Sequence, residues 1–384
     1  MSLTLGKVIG IEIKLHYTWF VIFLLVTWSL ATLSLPVQYP GLSVIIYWAL
    51  GALSAIILFA SVLLHELAHS YIALRNGIQV PSITLFVFGG VSQIAEEPQS
   101  PSVEFKLSLV GPLSSFVLAV VFGVAWFFAI TFRLGALVAA PLFYGSFVNL
   151  ILGVFNLIPA FPLDGGRILR AFLWGRKNDL VEATKISTHV GVGFAYALIF
   201  AGFFLIFIGA WMGGLWLMFI GLFLKSGAEA SLRQTVVSQA LADVNVKDIM
   251  SSQVITIDPD MTVAEAVSEY FSKHKHQGFP TVKDGKIKGI VTLHDLQKLP
   301  REKWNVTPVN AIMTPAERLV YVKPGEPAIE AMIKMSRAMV GRLPVLEEEK
   351  VVGIVTRSDL MQAVKFRTAV AEKPMPNFIS KPLT

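Results

Sequence analysis

Six apolar runs, near residues 17–36, 43–64, 107–130, 137–158, 187–208 and 211–224, commit the first 225 residues to helices that cross a membrane. A hydrocarbon layer of about 30 Å needs roughly 20 apolar residues in a helix. Helices suit that layer because they satisfy their backbone polar groups internally. The last two runs are separated only by the Gly209–Gly214 region and read as a tight hairpin. Composition agrees: 54% of the 384 residues are hydrophobic, more than an ordinary soluble protein carries.

Charge sets the orientation. Lys7, Lys14, Arg75, Arg167, Arg170, Arg176, Lys177, Lys185, Lys225 and Arg233 fall on one side of the six spans, and Arg133 on the other. Cytoplasmic loops carry the excess of Lys and Arg, so both termini are expected in the cytoplasm of a multi-pass cell-membrane protein. The net charge of +6 splits evenly, +3 before residue 236 and +3 after it. That spread makes no nucleic-acid-binding stripe, and no nucleic-acid partner is expected. Residues 1–17 alternate apolar and polar (Val8, Ile9, Ile11, Ile13, Leu15) and read as a short strand or interfacial segment, not a cleavable leader. Residues 80–94 are β-branched and aromatic, broken by Gly89-Gly90, and predict a hairpin or pair of short strands. Such a pair either closes onto the protein or offers an edge to an extended peptide.

The uncharged stretch from Gly41 to Leu64 ends in His65-Glu66-Leu67-Ala68-His69. On a helix, positions i and i+4 share a face, so His65 and His69 can hold one metal ion. Glu66 is then placed as a general base toward water. Ionisable groups inside a span cost about 2.5–3.5 kcal/mol each on insertion scales and mark function. With no cysteine in the chain, a zinc ion needs His, Asp or Glu ligands. A second polar island, Asn156 to Arg167, contains Asp164, the one acidic residue between Glu104 and Asp179. Its prolines and glycines favour a helix break, tolerated at membrane depth where it is buried or lines a wet cavity. Asp164 is the natural third ligand of a catalytic zinc, one per chain; the alternatives are a helix N-cap or a salt bridge to Arg167. Asn149, Gly153 and Asn156 share a face of the fourth span. Asn156 is read as a catalytic residue, binding substrate backbone or stabilising an oxyanion, and Asn149 as an interhelical hydrogen bonder.

Beyond residue 225 the composition turns polar and the sequence repeats. Val246–Met250 matches Val309–Met313, Phe279-Pro280 matches Leu343-Pro344, and Gly289–Leu296 matches Gly353–Leu360. Each unit reads as strand, helix, strand, strand, helix, with turns such as Lys283-Asp284-Gly285. This pattern resembles a pair of cystathionine-β-synthase (CBS) domains. The resemblance implies adenine-nucleotide (ATP, ADP or AMP) contacts from Thr292 and Asp295, and from Thr356 and Asp359, with Arg357 facing phosphates in the second repeat. The plainer reading is that each Asp caps the helix that follows it.

His65-Glu66-x-x-His69, together with Asn156 and Leu163-Asp164-Gly165, resembles the site-2 protease family of intramembrane metalloproteases. Phe88-Gly89-Gly90 and Gly111-Pro112 belong to the same resemblance, which covers about residues 1–225. It implies zinc on His65, His69 and Asp164, Glu66 as general base, and cleavage of a transmembrane segment of a protein substrate in lipid. With the CBS pair, it looks like the archaeal and bacterial branch of that family. The expected fold is a polytopic α-helical membrane domain with short strands near the active site, followed by an α/β tandem CBS module. The expected layout is a protease domain over 1–226, a connector over 227–245, CBS repeats at 246–300 and 309–368 joined by 301–308, and a tail over 369–384. A homodimer through the CBS domains fits such modules. The alternative function is a CBS-regulated transporter or channel whose metal is structural or cargo.

Overall fold

A computed structural model describes residues 2–87, 89–92, 98–274 and 276–372. Phe88 of the Phe88-Gly89-Gly90 motif, the 93–94 end of the expected hairpin, Lys275 and residues 373–384 of the expected tail lie outside the described residues. The chain divides into two units, Met1–Arg233 and Gln234–Thr384.

Among the described residues, six helices are long and apolar enough to cross a membrane: α1 (Thr18–Gln38), α2 (Val44–Arg75), α3 (Pro101–Thr131), α4 (Ala136–Asn156), a fifth at Leu180–Phe207 and a sixth at Trp211–Leu241, which runs on past the end of unit one. Large side chains such as Phe200, Phe207, Trp211 and Met212 are exposed on the last two. In water that surface would be an aggregation hazard; in lipid it needs no cover. α3 and the fifth helix start earlier than hydropathy alone indicates because polar caps extend them. Ser100 accepts from the Val103 amide and Pro101 opens α3, and Asp179 accepts from the Glu182 amide before the fifth span. The expected polar connector is helical as far as Leu241, a continuation of the sixth span.

A four-stranded sheet joins the two stretches expected to contain strands. β1 (Ser2–Val8) and β2 (Ile11–His16) form a hairpin over Ile9 and Gly10, both at positive φ. β2 pairs in parallel with β3 (Ser82–Phe86), and β3 pairs antiparallel with β4 (Gly89–Ser92). Ile11, Ile13, Val80 and Ile83 bury one face of this sheet with Ala73 of α2 and Leu107 of α3. The sheet thereby lies beside the ends of the helices that carry the HExxH motif and Gly111. α5 (Asp164–Lys177) is a 14-residue amphipathic helix between the fourth and fifth spans, too short to span.

Unit two has the expected twofold repetition, with one difference. The strand expected ahead of each helix is reduced to a single parallel bridge, Ile257 to Thr281 and Val322 to Val345. The hairpins β5 (Gly278–Lys283) with β6 (Lys286–Thr292), and β8 (Arg342–Glu347) with β9 (Lys350–Thr356), are well formed; a two-residue strand β7 (Thr314–Pro315) pairs with β6. Each repeat lends its opening segment to the other: Met313 packs on Gly289 and Met250 on Gly353. Through this exchange each of two hydrophobic cores holds residues of both repeats: Val246 lies with Leu343 and Val355, and Val309 with Phe279 and Val291.

Candidate active site

The site begins with the helix break between α4 and α5. α4 ends at Asn156, residues 157–163 turn back, and Asp164 opens α5. The turn and helix press together so closely that a Cβ at Gly165 would lie 2.3 Å from the carbonyl oxygens of Leu157 and Ile158. This is why a glycine must follow Asp164. The position before the helix belongs to Leu163, so Asp164 is not its N-cap. Nor does it pair with Arg167, whose Nε lies 3.7 Å from Glu104 instead. Both competing roles for Asp164 fall away on these contacts.

Asp164 turns toward α2. Its Oδ2 lies 3.1 Å from His65 Nε2 and 3.2 Å from His69 Nε2, and the two ring nitrogens are 3.1 Å apart. Both histidines are buried. Their other nitrogens are already engaged. His69 Nδ1 lies 2.6 Å from the Leu107 carbonyl, a pure acceptor, so that nitrogen carries the proton and Nε2 presents a lone pair. His65 Nδ1 lies 2.9 Å from Ser115 Oγ, which can accept in the same way. Such outer partners fix the ring orientation of metal-binding histidines. Three lone-pair atoms therefore converge on one point. Tetrahedral zinc with ligand bonds of 2.0–2.2 Å needs ligand atoms about 3.3 Å apart. The donor set and its spacing fit zinc, with a fourth position left for water or substrate.

Gly111 of α3 closes the site from one side. A Cβ there would lie 2.2 Å from His69 Nε2 and 2.7 Å from His65 Nε2. Any side chain at this position would push into the ligand atoms. The carboxylate of Glu66 accepts a hydrogen bond from Ser92 Oγ of β4 at 2.6 Å. A Cβ at Gly90 would meet Glu66 Cγ at 2.5 Å, so the Gly89-Gly90 pair lets the strand pass directly over the acid. Sequence reasoning did not assign these roles to Ser92, Ser115 or the Leu107 carbonyl. The i, i+4 spacing of Gly111 and Ser115 was the available signal.

The asparagines divide. Asn149 Nδ2 donates to Ser61 Oγ of α2 at 2.8 Å, the interhelical role expected of it. Asn156 Nδ2 donates to the Leu152 carbonyl of its own helix at 3.0 Å. Nearby, buried Glu104 of α3 and buried Arg170 of α5 are ion-paired, with Arg170 Nε donating to Glu104 Oε1 at 2.7 Å. This pair ties the helix that starts with Asp164 to the helix that carries Gly111.

In unit two the Thr and Asp residues satisfy each other. Asp295 Oδ2 accepts from the Thr292 amide at 3.0 Å and hydroxyl at 2.6 Å. Asp359 Oδ2 does the same for Thr356, at 2.8 Å each. Each pair is a capping box in which Thr, not Asp as expected, stands at the cap, and Asp at the third helical position binds back to it. A cavity of about 360 Å³ adjoins Asp359 and is lined by Asp248, Phe366 and Arg367 among others. Arg357 is exposed and does not line it.

Comparison with known proteins agrees with this division of the chain. The model of peptidase family M50 matches residues 53–138 and 132–200, and that of the CBS domain matches 246–302 and 309–365. A Mycobacterium tuberculosis (strain Erdman) protein named as a candidate zinc metalloprotease, Rip3, is 36% identical over 99% of this chain and 97% of its own length. A zinc metalloprotease of Methanocaldococcus jannaschii is 33% identical over 94% of this chain and 96% of its own. Among solved structures, the site-2 protease from Methanocaldococcus jannaschii is 34% identical, covering 60% of this chain and 94% of that one, with a TM-score of 0.41.

Proposed function

The chain belongs to the M50, or site-2 protease, family of zinc metalloproteases, and from that premise we propose that it cleaves transmembrane segments of substrate proteins within the bilayer. The observation that carries this reading is the convergence of His65, His69 and Asp164, with Glu66 adjoining, in a unit of six membrane-length helices. A soluble peptide substrate would not require the site to be built there.

In this reading His65, His69 and Asp164 hold the zinc. Bound there, zinc polarises the scissile carbonyl and makes water a stronger nucleophile at neutral pH. Glu66 takes the proton of the attacking water on its carboxylate and hands it to the leaving amine. The buried histidine rings hold their lone pairs on target through Leu107 and Ser115. A helical substrate hides its carbonyls in i to i−4 bonds and must unwind locally. β4, at the end of the sheet beside Glu66, offers an edge on which the unwound segment adds as a strand. Asn156, at the C-terminal end of α4, contacts the substrate backbone once its amide leaves the Leu152 carbonyl. Both termini lie in the cytoplasm, and water reaches the site from that side.

The CBS unit regulates this activity by binding an adenine nucleotide. Asp359 with the cavity beside it is the better site, since its carboxylate can exchange its capping bonds for bonds to ribose hydroxyls. A dimer forms through this unit. The test is cleavage of single-span model proteins by the purified full-length chain, with and without ATP, ADP or AMP. Rates that do not change with saturating nucleotide contradict the regulatory part. A wild type that holds zinc and cleaves no membrane substrate, with or without nucleotide, contradicts the whole.

A further inference from the structure

We propose that Ser92 is a positioning residue for Glu66, and that it links pairing of substrate along β4 to the set of the general base. This rests on the reading of Glu66 given above. The geometry is direct. Ser92 Oγ donates to Glu66 Oε2 at 2.6 Å, a short charge-assisted bond of the strong kind. It occupies one carboxylate oxygen and leaves the other for the proton transfer. A second hydroxyl of the same helix, Ser70 Oγ, gives its one proton to the Glu66 backbone carbonyl at 2.8 Å, so it does not compete for the Ser92 proton.

The position of Ser92 in the sheet gives the bond its further meaning. β4 is four residues long, lies at the end of the sheet, and pairs with β3 alone among the described strands. One backbone edge of so short a strand is held by β3 through Ile83 to Phe86. A substrate strand added to the other edge supplies the second set of ladder bonds and fixes β4 between two neighbours. Because Ser92 sits on that strand, the same pairing fixes the hydroxyl that holds Glu66. Gly90 enforces the proximity, since a Cβ there would collide with Glu66 Cγ. Substrate registry and the orientation of the base are thus set by one four-residue element.

The test measures kcat and KM for a single-span substrate with the full-length protein. Wild type, Ser92→Ala, Ser92→Thr and Glu66→Gln are compared, with bound zinc and thermal unfolding followed in each. Ser92→Ala is expected to lower kcat about tenfold, the effect of losing one hydrogen bond to a charged group, with KM, zinc content and unfolding unchanged. Ser92→Thr keeps the hydroxyl on a residue suited to a strand and is expected to recover most of the loss. Wild-type kcat in Ser92→Ala overturns the inference. So does a loss confined to KM, or accompanied by loss of zinc or of stability, because each marks a scaffold role. Failure of Ser92→Thr to recover also overturns it. Glu66→Gln separates the two levels: cleavage by that variant removes the general base itself, whereas its inactivity beside a fully active Ser92→Ala removes the role of Ser92 alone.

Discussion

The two units handle buried polar groups in opposite ways. In the membrane unit, His65, His69 and Asp164 turn three potential ligand atoms toward one another across 3.1–3.2 Å. A single cation at their centre would engage all three at once. In the CBS unit, Thr292 with Asp295 and Thr356 with Asp359 close their own hydrogen bonds and cap their own helices. Those pairs are complete without a ligand. A ligand there must compete with bonds already made, whereas the membrane cluster offers three atoms to a single ion. The difference teaches that identical sequence logic, a polar residue at a defined spacing, reports a site in one case and a cap in the other. Convergence of unsatisfied groups tells them apart.

The largest effect that sharpens this contrast is expected from Gly111→Ala. A methyl group 2.2 Å from His69 Nε2 displaces the ligand atoms, so bound zinc and cleavage should both be lost. Elemental analysis of the purified variant checks it, and wild-type zinc content would mean that α3 does not close the site. Arg170→Ala comes next. It leaves the buried Glu104 carboxylate only the more distant Arg167, 3.7 Å away, so the loss should approach but stay below the about 3–5 kcal/mol of a buried charge left wholly unpaired. Denaturant unfolding in detergent should report it, with reduced zinc retention because α5 carries Asp164. The smallest effect is expected from Asp359→Ala, which removes one cap at about 1 kcal/mol. In the wild type a nucleotide at 100 times its Kd adds about 2.7 kcal/mol; the variant should lose that increment while nucleotide-free cleavage continues. A nucleotide-induced shift that survives in Asp359→Ala but vanishes in Asp295→Ala would move the sensor to the first repeat.

Much of this contrast was legible in the chain itself, and the exceptions have a common cause. The six spans follow from local apolarity, and their early starts from caps at Ser100 and Asp179. The i, i+4 histidines and the isolated Asp164 announce a metal site through residue type and spacing. What sequence could not give is pairing over distance. The parallel match of Ile13 with Ile83 joins segments 70 residues apart, and neither strand carries a mark naming the other. The same holds for Glu104 with Arg170 and for Ser92 with Glu66, which meet only once α3, α5 and β4 are assembled. The reduced opening strand of each CBS repeat was hidden for a related reason. Its residues are apolar enough for a strand, yet the segment just ahead of it pairs with the other repeat, at Ser251 with Ile354 and Thr314 with Ile290, and leaves room for one bridge within its own.

The most direct test of the account compares wild type and Glu66→Gln, full length in detergent, for bound zinc and for cleavage of a single-span substrate. General-base removal typically lowers a rate by about 10²–10⁴-fold. Both proteins should carry the same zinc, and cleavage should collapse by that order in the variant. Undiminished cleavage by Glu66→Gln, or a wild type that holds no zinc, would contradict it.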